Sequence, residues 1–281
     1  MWKFIFALTL LLLFPQQILA GEVVPSADDG VEVPVIMYHL ITEKSKYIGK
    51  YGVAPAEVAA DLQYLADNGY TTVFMRDLID FVENGTLLPP KPIVLTFDDG
   101  NFSDYNYLYP LLKEYNAKAV LAIIGKATDS CTEMYAAAPT GVYPNLTWAQ
   151  IKELHESGHF EIQSHGYDMH GRGGSGEKRG EPIEQYHTRL RDDLQKLQEL
   201  CRQHVGFTPT TFVYPLGVIG KDSRIVIEQL GMKASLSCEE GINIIRQGDK
   251  DALFRMHRYN RPSGTPVKNL LNKMEKQKTK S

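Results

Sequence analysis

Cysteine is scarce in this 281-residue chain: Cys131, Cys201 and Cys238 sit far apart, and none belongs to a Cys-x-x-Cys pair. That excludes a disulfide framework, a cysteine-built zinc site and dithiol redox chemistry. In an oxidising compartment two of the three could pair and leave one free, and the sequence does not choose the pair. Long apolar runs are also missing. The N-terminal run from Phe4 to Phe14 is short of the roughly 20 residues that a membrane-spanning helix needs. It follows Met1-Trp2-Lys3 and leads to Ala20-Gly21, so residues 1–20 read as a secretory signal peptide, with an uncleaved anchor as the competing reading. No Cys follows closely, which speaks against a lipid anchor. The third absence is of basic clusters interleaved with aromatics. With a formal net charge of −4 the chain lacks the footprint of a nucleic-acid binder.

The order of segments after the leader is legible. Residues 21–33 read as a linker, 34–265 as one domain, and 266–281 as a basic C-terminal tail whose Lys268–Lys280 stretch forms a solvated helix end or a frayed terminus. Short β-branched runs alternate with helical patterns, which predicts βα units around a parallel sheet. The expected strands are Val35 to Met37, Thr72 to Phe74, Ile93 to Phe97, Ala119 to Ile123, Phe160 to Gln163, Thr211 to Tyr214, Ala234 to Leu236 and Leu253 to His257. Seven or eight such units suit a closed, distorted (β/α)7–8 barrel in a single domain. The clearest helices are Pro55 to Asn68, Thr147 to Ser157 and Ile183 to His204. Leu190, Leu194, Leu197 and Cys201 repeat at helical spacing in the last, so Cys201 reads as core rather than chemistry. Gly171 to Gly180 is low in complexity and reads as a mobile surface loop. Asn84, Asn101 and Asn145 match glycosylation acceptors, a pattern that also arises by chance.

Two segments carry chemistry. Ile93-Val-Leu-Thr-Phe-Asp98-Asp99-Gly100 is a buried strand that ends in adjacent carboxylates. Such a pair is costly to bury, but at the C-terminal end of a barrel strand it can face the active-site end; the bland alternative is an Asp-Asp-Gly turn. Glu161-Ile-Gln-Ser-His165-Gly-Tyr-Asp-Met-His170 again ends a strand in a candidate ligand, and Gly166 lets the chain turn toward a second. One Asp oxygen and two imidazole nitrogens make a three-ligand site for a divalent ion with an open position, as in catalytic zinc centres.

With these motifs the chain resembles the polysaccharide deacetylases (NodB-homology, family-four carbohydrate esterases) from about Pro34 to Pro262, and Thr96-Phe97-Asp98-Asp99-Gly100 matches the family's first motif. The resemblance implies that Asp98 is the general base and Asp99 a metal ligand, joined by His165 and His170. Thr211-Phe-Val-Tyr214-Pro215-Leu216-Gly217 is similar to the third motif, with Tyr214, Pro215 and Leu216 at the substrate or oxyanion site; Leu216 replaces the usual aromatic residue. Pro34-Val-Ile-Met-Tyr38-His39 resembles the first strand of the deacetylases acting on poly-β-1,6-N-acetylglucosamine, which makes His39 the expected general acid. His257 is the rival acid, since it too is expected to end a strand, and Arg258 resembles an arginine that orients Asp98 or contacts substrate.

With the signal-peptide reading of residues 1–20, the resemblance implies an exported enzyme, periplasmic, cell-surface or secreted. It would hold Zn2+, with Co2+ or Ni2+ as substitutes, and would remove N-acetyl groups from a polysaccharide. The expected partner is that acetylated polymer, with no nucleic acid, no stable membrane span after signal removal, and a monomeric state. A peptidoglycan deacetylase, an O-acetyl esterase acting on xylan and an inactive carbohydrate-binding module are the alternatives.

Overall fold

The computed structural model describes residues 30–138 and 144–278. The expected signal peptide, residues 1–20, and most of the expected linker lie outside the described residues. Eight short strands form the main sheet: β1 (Val35–Tyr38), β2 (Thr71–Thr72), β3 (Pro92–Asp99), β4 (Ala119–Ile123), β5 (Phe160–Ser164), β6 (Thr211–Val213), β7 (Ala234–Leu236) and β8 (Tyr259–Asn260). All pairings in it are parallel, in the spatial order β7-β6-β5-β4-β3-β1-β8, with β2 against the start of β3. Met256, just before β8, bridges Leu236 at the end of β7, so the two edges of the sheet meet. The result is the expected distorted α/β barrel.

Strand periodicity sorts the side chains. Ile93, Leu95 and Phe97 of β3 join an outer core with Val58, Leu62, Ile151 and Leu154 from the surrounding helices. Val94, Thr96 and Asp98 take the opposite, inner face. The same alternation sends Ile36 and Tyr38 outward, and Val35, Met37 and then His39 inward. On β5 it lines up Glu161, Gln163 and His165 along the barrel interior. Strands β1, β3 and β5 thus each place a candidate site residue at the C-terminal end.

Among the described residues, eight α-helices surround the sheet: α1 (Pro55–Asp67), α2 (Met75–Asn84), α3 (Tyr109–Glu114), α4 (Gly125–Ala137), α5 (Trp148–Glu156), α6 (Ile183–His204), α7 (Ser223–Gln229) and α8 (Val267–Lys278). Helix α2 packs Met75, Leu78 and Phe81 into a core cluster with the inward-facing Val94 and Val120. Its first backbone amides, Met75 N and Arg76 N, donate to the Glu161 carboxylate at 2.8 and 3.2 Å. A carboxylate at a helix N-terminus satisfies amides that have no partner within the helix.

Several expectations are corrected. Leu253 to His257 is no strand: a 3-10 turn at Lys250–Leu253, capped by the Asp249 side chain, and the left-handed Arg255 (φ 58°) interrupt extension there. The basic tail is helical, as one of its two readings had it, but helix α8 is packed rather than solvated: it buries Val267, Leu270, Leu271 and Met274 in the main core. The stretch Gly171 to Gly180 is tied down. Ser175 is fully buried and donates to Val218 O at 2.8 Å, and Arg189 donates to Gly176 O and to Glu181. The three cysteines are unpaired thiols. Cys201 is core, as its spacing predicts, and burial pushes its thiol up to about 12. No helix among the described residues is long and apolar enough to cross a membrane.

Candidate active site

Two neighbours on an extended strand point to opposite faces, so Asp98 and Asp99 need a break in the alternation to face one cavity. The break is in the backbone: Asp99 has φ 78° and Gly100 φ 65°. Asp tolerates the left-handed region better than most residues, and Asn145 holds the kink by donating from Nδ2 to Asp99 O at 2.9 Å. Asn101 donates to Asp98 O at 3.2 Å. Both asparagines, read from sequence only as glycosylation patterns, brace the Asp98–Gly100 turn.

Asp99 Oδ1 lies 3.6 Å from His165 Nε2 and 3.1 Å from His170 Nε2, and the three ligand atoms fall within 4.8 Å of one another. Asp99 Oδ1 is buried without a well-aligned donor, which suits a group that meets the imidazoles through a shared cation. His165 is buried, and its Nδ1 sits 2.8 Å from Val213 O. Donation from Nδ1 to that carbonyl leaves the Nε2 lone pair facing Asp99, the usual orienting device behind a metal-bound histidine. The donor set, two imidazoles and one carboxylate, fits a divalent ion of the zinc type.

Asp98 is buried beside this triad and accepts from Arg258 Nη1 at 2.8 Å. Arg258 is itself fully buried, donating also to Ser237 O (2.7 Å) and Thr96 Oγ1 (3.1 Å). Burial by itself raises the Asp98 pKa. The positive charge of Arg258 and the nearby His165 and His39 outweigh it and hold the carboxyl at about 2. Asp98 is therefore ionised across the physiological range.

These residues open into a cavity of about 970 Å³. One wall is the segment from Lys46 to Gly52, and Leu216 and Cys238 stand elsewhere around it. His39 lines the cavity, its ring 4.8 Å from that of Tyr51. His257 is not among the lining residues: its ring packs where a side chain on Gly241 would stand. Leu216, in the left-handed region at φ 58°, projects into the cavity mouth and is about half exposed. The Tyr214 side chain faces away from the site, bonded to Ser223 Oγ at 2.9 Å and packed on Phe212 beneath α6 and α7, and Pro215 is buried. At this motif, Leu216 is the residue whose side chain reaches the cavity.

Sequence reasoning missed the wall from Lys46 to Gly52, Asn101, Asn145 and Cys238. Of these only Asn101, directly after Asp98-Asp99-Gly100, carried a positional signal.

The sequence profile for polysaccharide deacetylases matches residues 87–235, more than half of the chain. The chain belongs to this family. It is 26% identical over 248 residues to the poly-beta-1,6-N-acetyl-D-glucosamine N-deacetylase of Escherichia coli strain K12; the match covers 81% of this chain and 37% of that relative. The chain thus spans well under half of the length of this larger protein. Among solved structures, a de-N-acetylase from Aggregatibacter actinomycetemcomitans superposes with a TM-score of 0.72 at 26% identity, covering 86% of this chain and 99% of the other. The BpsB deacetylase domain from Bordetella bronchiseptica gives 0.66 at 26% identity, over 85% and 99% of the two chains. The fold of this polysaccharide deacetylase is thus the barrel of these solved relatives.

Proposed function

We propose that this chain is a metal-dependent hydrolase that removes N-acetyl groups from an N-acetylglucosamine polysaccharide and releases acetate. Poly-β-1,6-N-acetylglucosamine is the first substrate to test. The observation that carries the reading is the convergence of Asp99, His165 and His170 with the Asp98–Arg258 pair and His39 on one cavity. The β-1,6 preference rests on the names of the similar proteins and on the position of His39 directly after β1. Zinc is the ion that this donor set suits first, with cobalt or nickel as substitutes. The leader-like N-terminus supports export.

When bound at Asp99, His165 and His170, a divalent ion supplies Lewis acidity to the acetamide carbonyl and to the attacking water. Asp98 accepts the proton of that water as its oxygen bonds to the carbonyl carbon. Arg258 holds the carboxylate in one orientation and keeps it ionised; the same contact makes it a weak base, so its efficiency depends on position more than on proton affinity. A backbone N–H near Leu216 donates to the oxygen that gains charge. His39, as the general acid, gives a proton to the sugar nitrogen, the C–N bond breaks, and glucosamine and acetate leave. The exposed rings of Tyr47 and Tyr51 offer the apolar surface on which a sugar face packs.

The deciding experiment measures acetate release from β-1,6- and β-1,4-linked N-acetylglucosamine oligomers after chelation and again with zinc, cobalt or nickel restored. Metal-dependent release that Asp98→Asn abolishes supports the proposal. Release only from murein or from O-acetylated xylan redirects it to those substrates, and oligosaccharide binding without release under any metal makes the chain a binding module.

A further inference from the structure

The two histidine ligands are five positions apart, and the four residues between them are each held by another element. Gly166 O accepts from Gly125 N (3.1 Å) and Tyr167 O from Lys126 N (2.9 Å), both at the start of α4. Met169 is buried in the core cluster that contains Leu190 and Leu194 of α6. The side chains of Tyr167 and Asp168 reach Asp129 and Lys126 of α4, and their backbone amides are held by one carboxylate on α6. Asp193 Oδ1 accepts from Tyr167 N at 2.6 Å, and Asp193 Oδ2 accepts from Asp168 N at 2.8 Å. Two successive amides of the turn are thus fixed by one side chain, largely buried and flanking the apolar stripe of its helix.

Gly166 shows how closely the two fit. A Cβ there would lie 3.0 Å from Asp193 Oδ1, and the backbone is left-handed at φ 81°. The carboxylate occupies the space that the glycine leaves open. Without an acceptor at Asp193, the amides of Tyr167 and Asp168 lose their partner, and the part of the turn nearest His170 is less firmly fixed on the path that brings His170 Nε2 to within 3.1 Å of Asp99 Oδ1. His165 does not depend on this contact, because Val213 O orients it.

We propose that Asp193 is a positioning residue of the metal centre: by clamping the Tyr167–Asp168 amides it fixes where His170 stands relative to Asp99 and so sets metal affinity. The inference rests on the metal-binding reading above. It assigns a role to a residue on a different element, 28 positions after His165.

The test uses the full chain with Asp193→Ala, Asp193→Asn and, as a charge control on the exposed side of α6, Asp192→Asn. Zinc affinity is measured by competition with a chromophoric chelator. The visible absorption of the cobalt-loaded protein reports the ligand field, and the melting temperature of the metal-free protein reports stability. Asp193→Ala is expected to weaken zinc binding about 10- to 100-fold, the range seen when an orienting residue behind a ligand is lost, and to change the cobalt spectrum. Asp193→Asn keeps one acceptor and should fall between Ala and the parent, while Asp192→Asn should match the parent. Should Asp193→Ala not fold, Asp193→Asn decides. Parent-like zinc affinity and cobalt spectrum in the Asp193 variants, with only the melting temperature lowered, overturn the proposal and leave Asp193 a purely structural residue. Failure of the parent protein to take up metal in the same titration overturns both this inference and the metal-dependent reading.

Discussion

Arg258 and Asp98 meet inside the barrel with neither side chain open to solvent, Nη1 to Oδ1 at 2.8 Å. They come from strand ends 160 residues apart, one before β8 and one on β3. Removing one member of a buried ion pair strands the other, at a cost of about 3–5 kcal/mol. Arg258→Ala should therefore lower both melting temperature and turnover. Arg258→Lys keeps the charge but not the fork that also reaches Ser237 O and Thr96 Oγ1, and should recover stability more than turnover. Thermal melts beside acetate release give the two numbers; equal recovery of both would count against an orienting role.

Ligands and base separate by what they bind. Asp99→Ala, His165→Ala and His170→Ala should each weaken metal uptake and lose turnover together. Asp98→Asn should retain the metal and lose about 10²–10⁴-fold in turnover, the usual worth of a positioned general base. Metal content of the dialysed variants, read beside their activity, checks the division, and full activity of the chelated parent protein would sink the scheme.

The general acid is tested by contrast. His39 lines the cavity and His257 does not. His39→Ala should cost about 10²–10⁴-fold in turnover while leaving metal uptake unchanged. His257→Ala, away from the cavity, should change stability more than rate. The reverse pattern would transfer the role to His257.

Glu161 gives stability a pH dependence of its own. Burial raises its pKa to about 7, above the ordinary 4.5, although the amides of Met75 and Arg76 partly offset the shift. Because the folded state binds this proton more tightly than the unfolded chain, the contribution is fully present below pH 4.5 and is lost as pH rises through about 7. The loss is on the order of 3 kcal/mol, from the size of the shift. Denaturant melts between pH 4 and 8 should show that decline in the parent protein and a flatter profile in Glu161→Gln.

The sequence by itself determined the barrel, because the alternation of β-branched runs with amphipathic helices is local information. Ala119 to Ile123, Ala234 to Leu236 and Ile183 to His204 lie where the periodicity puts them. It also singled out the candidate ligands, since Asp99, His165 and His170 sit in contiguous motifs, and the structure brings the three together. Leu253 to His257 misled because an apolar run says nothing of a left-handed residue within it. The tertiary structure alone decided the rest. It put Asp98 and Asp99 in one cavity by a backbone kink that Asn145 holds. It turned the Tyr214 side chain into the core and left Leu216 at the mouth. It also brought Arg258 to Asp98 and Asp193 to the turn between the histidines. The physical reason is range: periodicity and turn chemistry act between near neighbours, whereas an ion pair or a clamped amide joins residues that meet only once the sheet has closed.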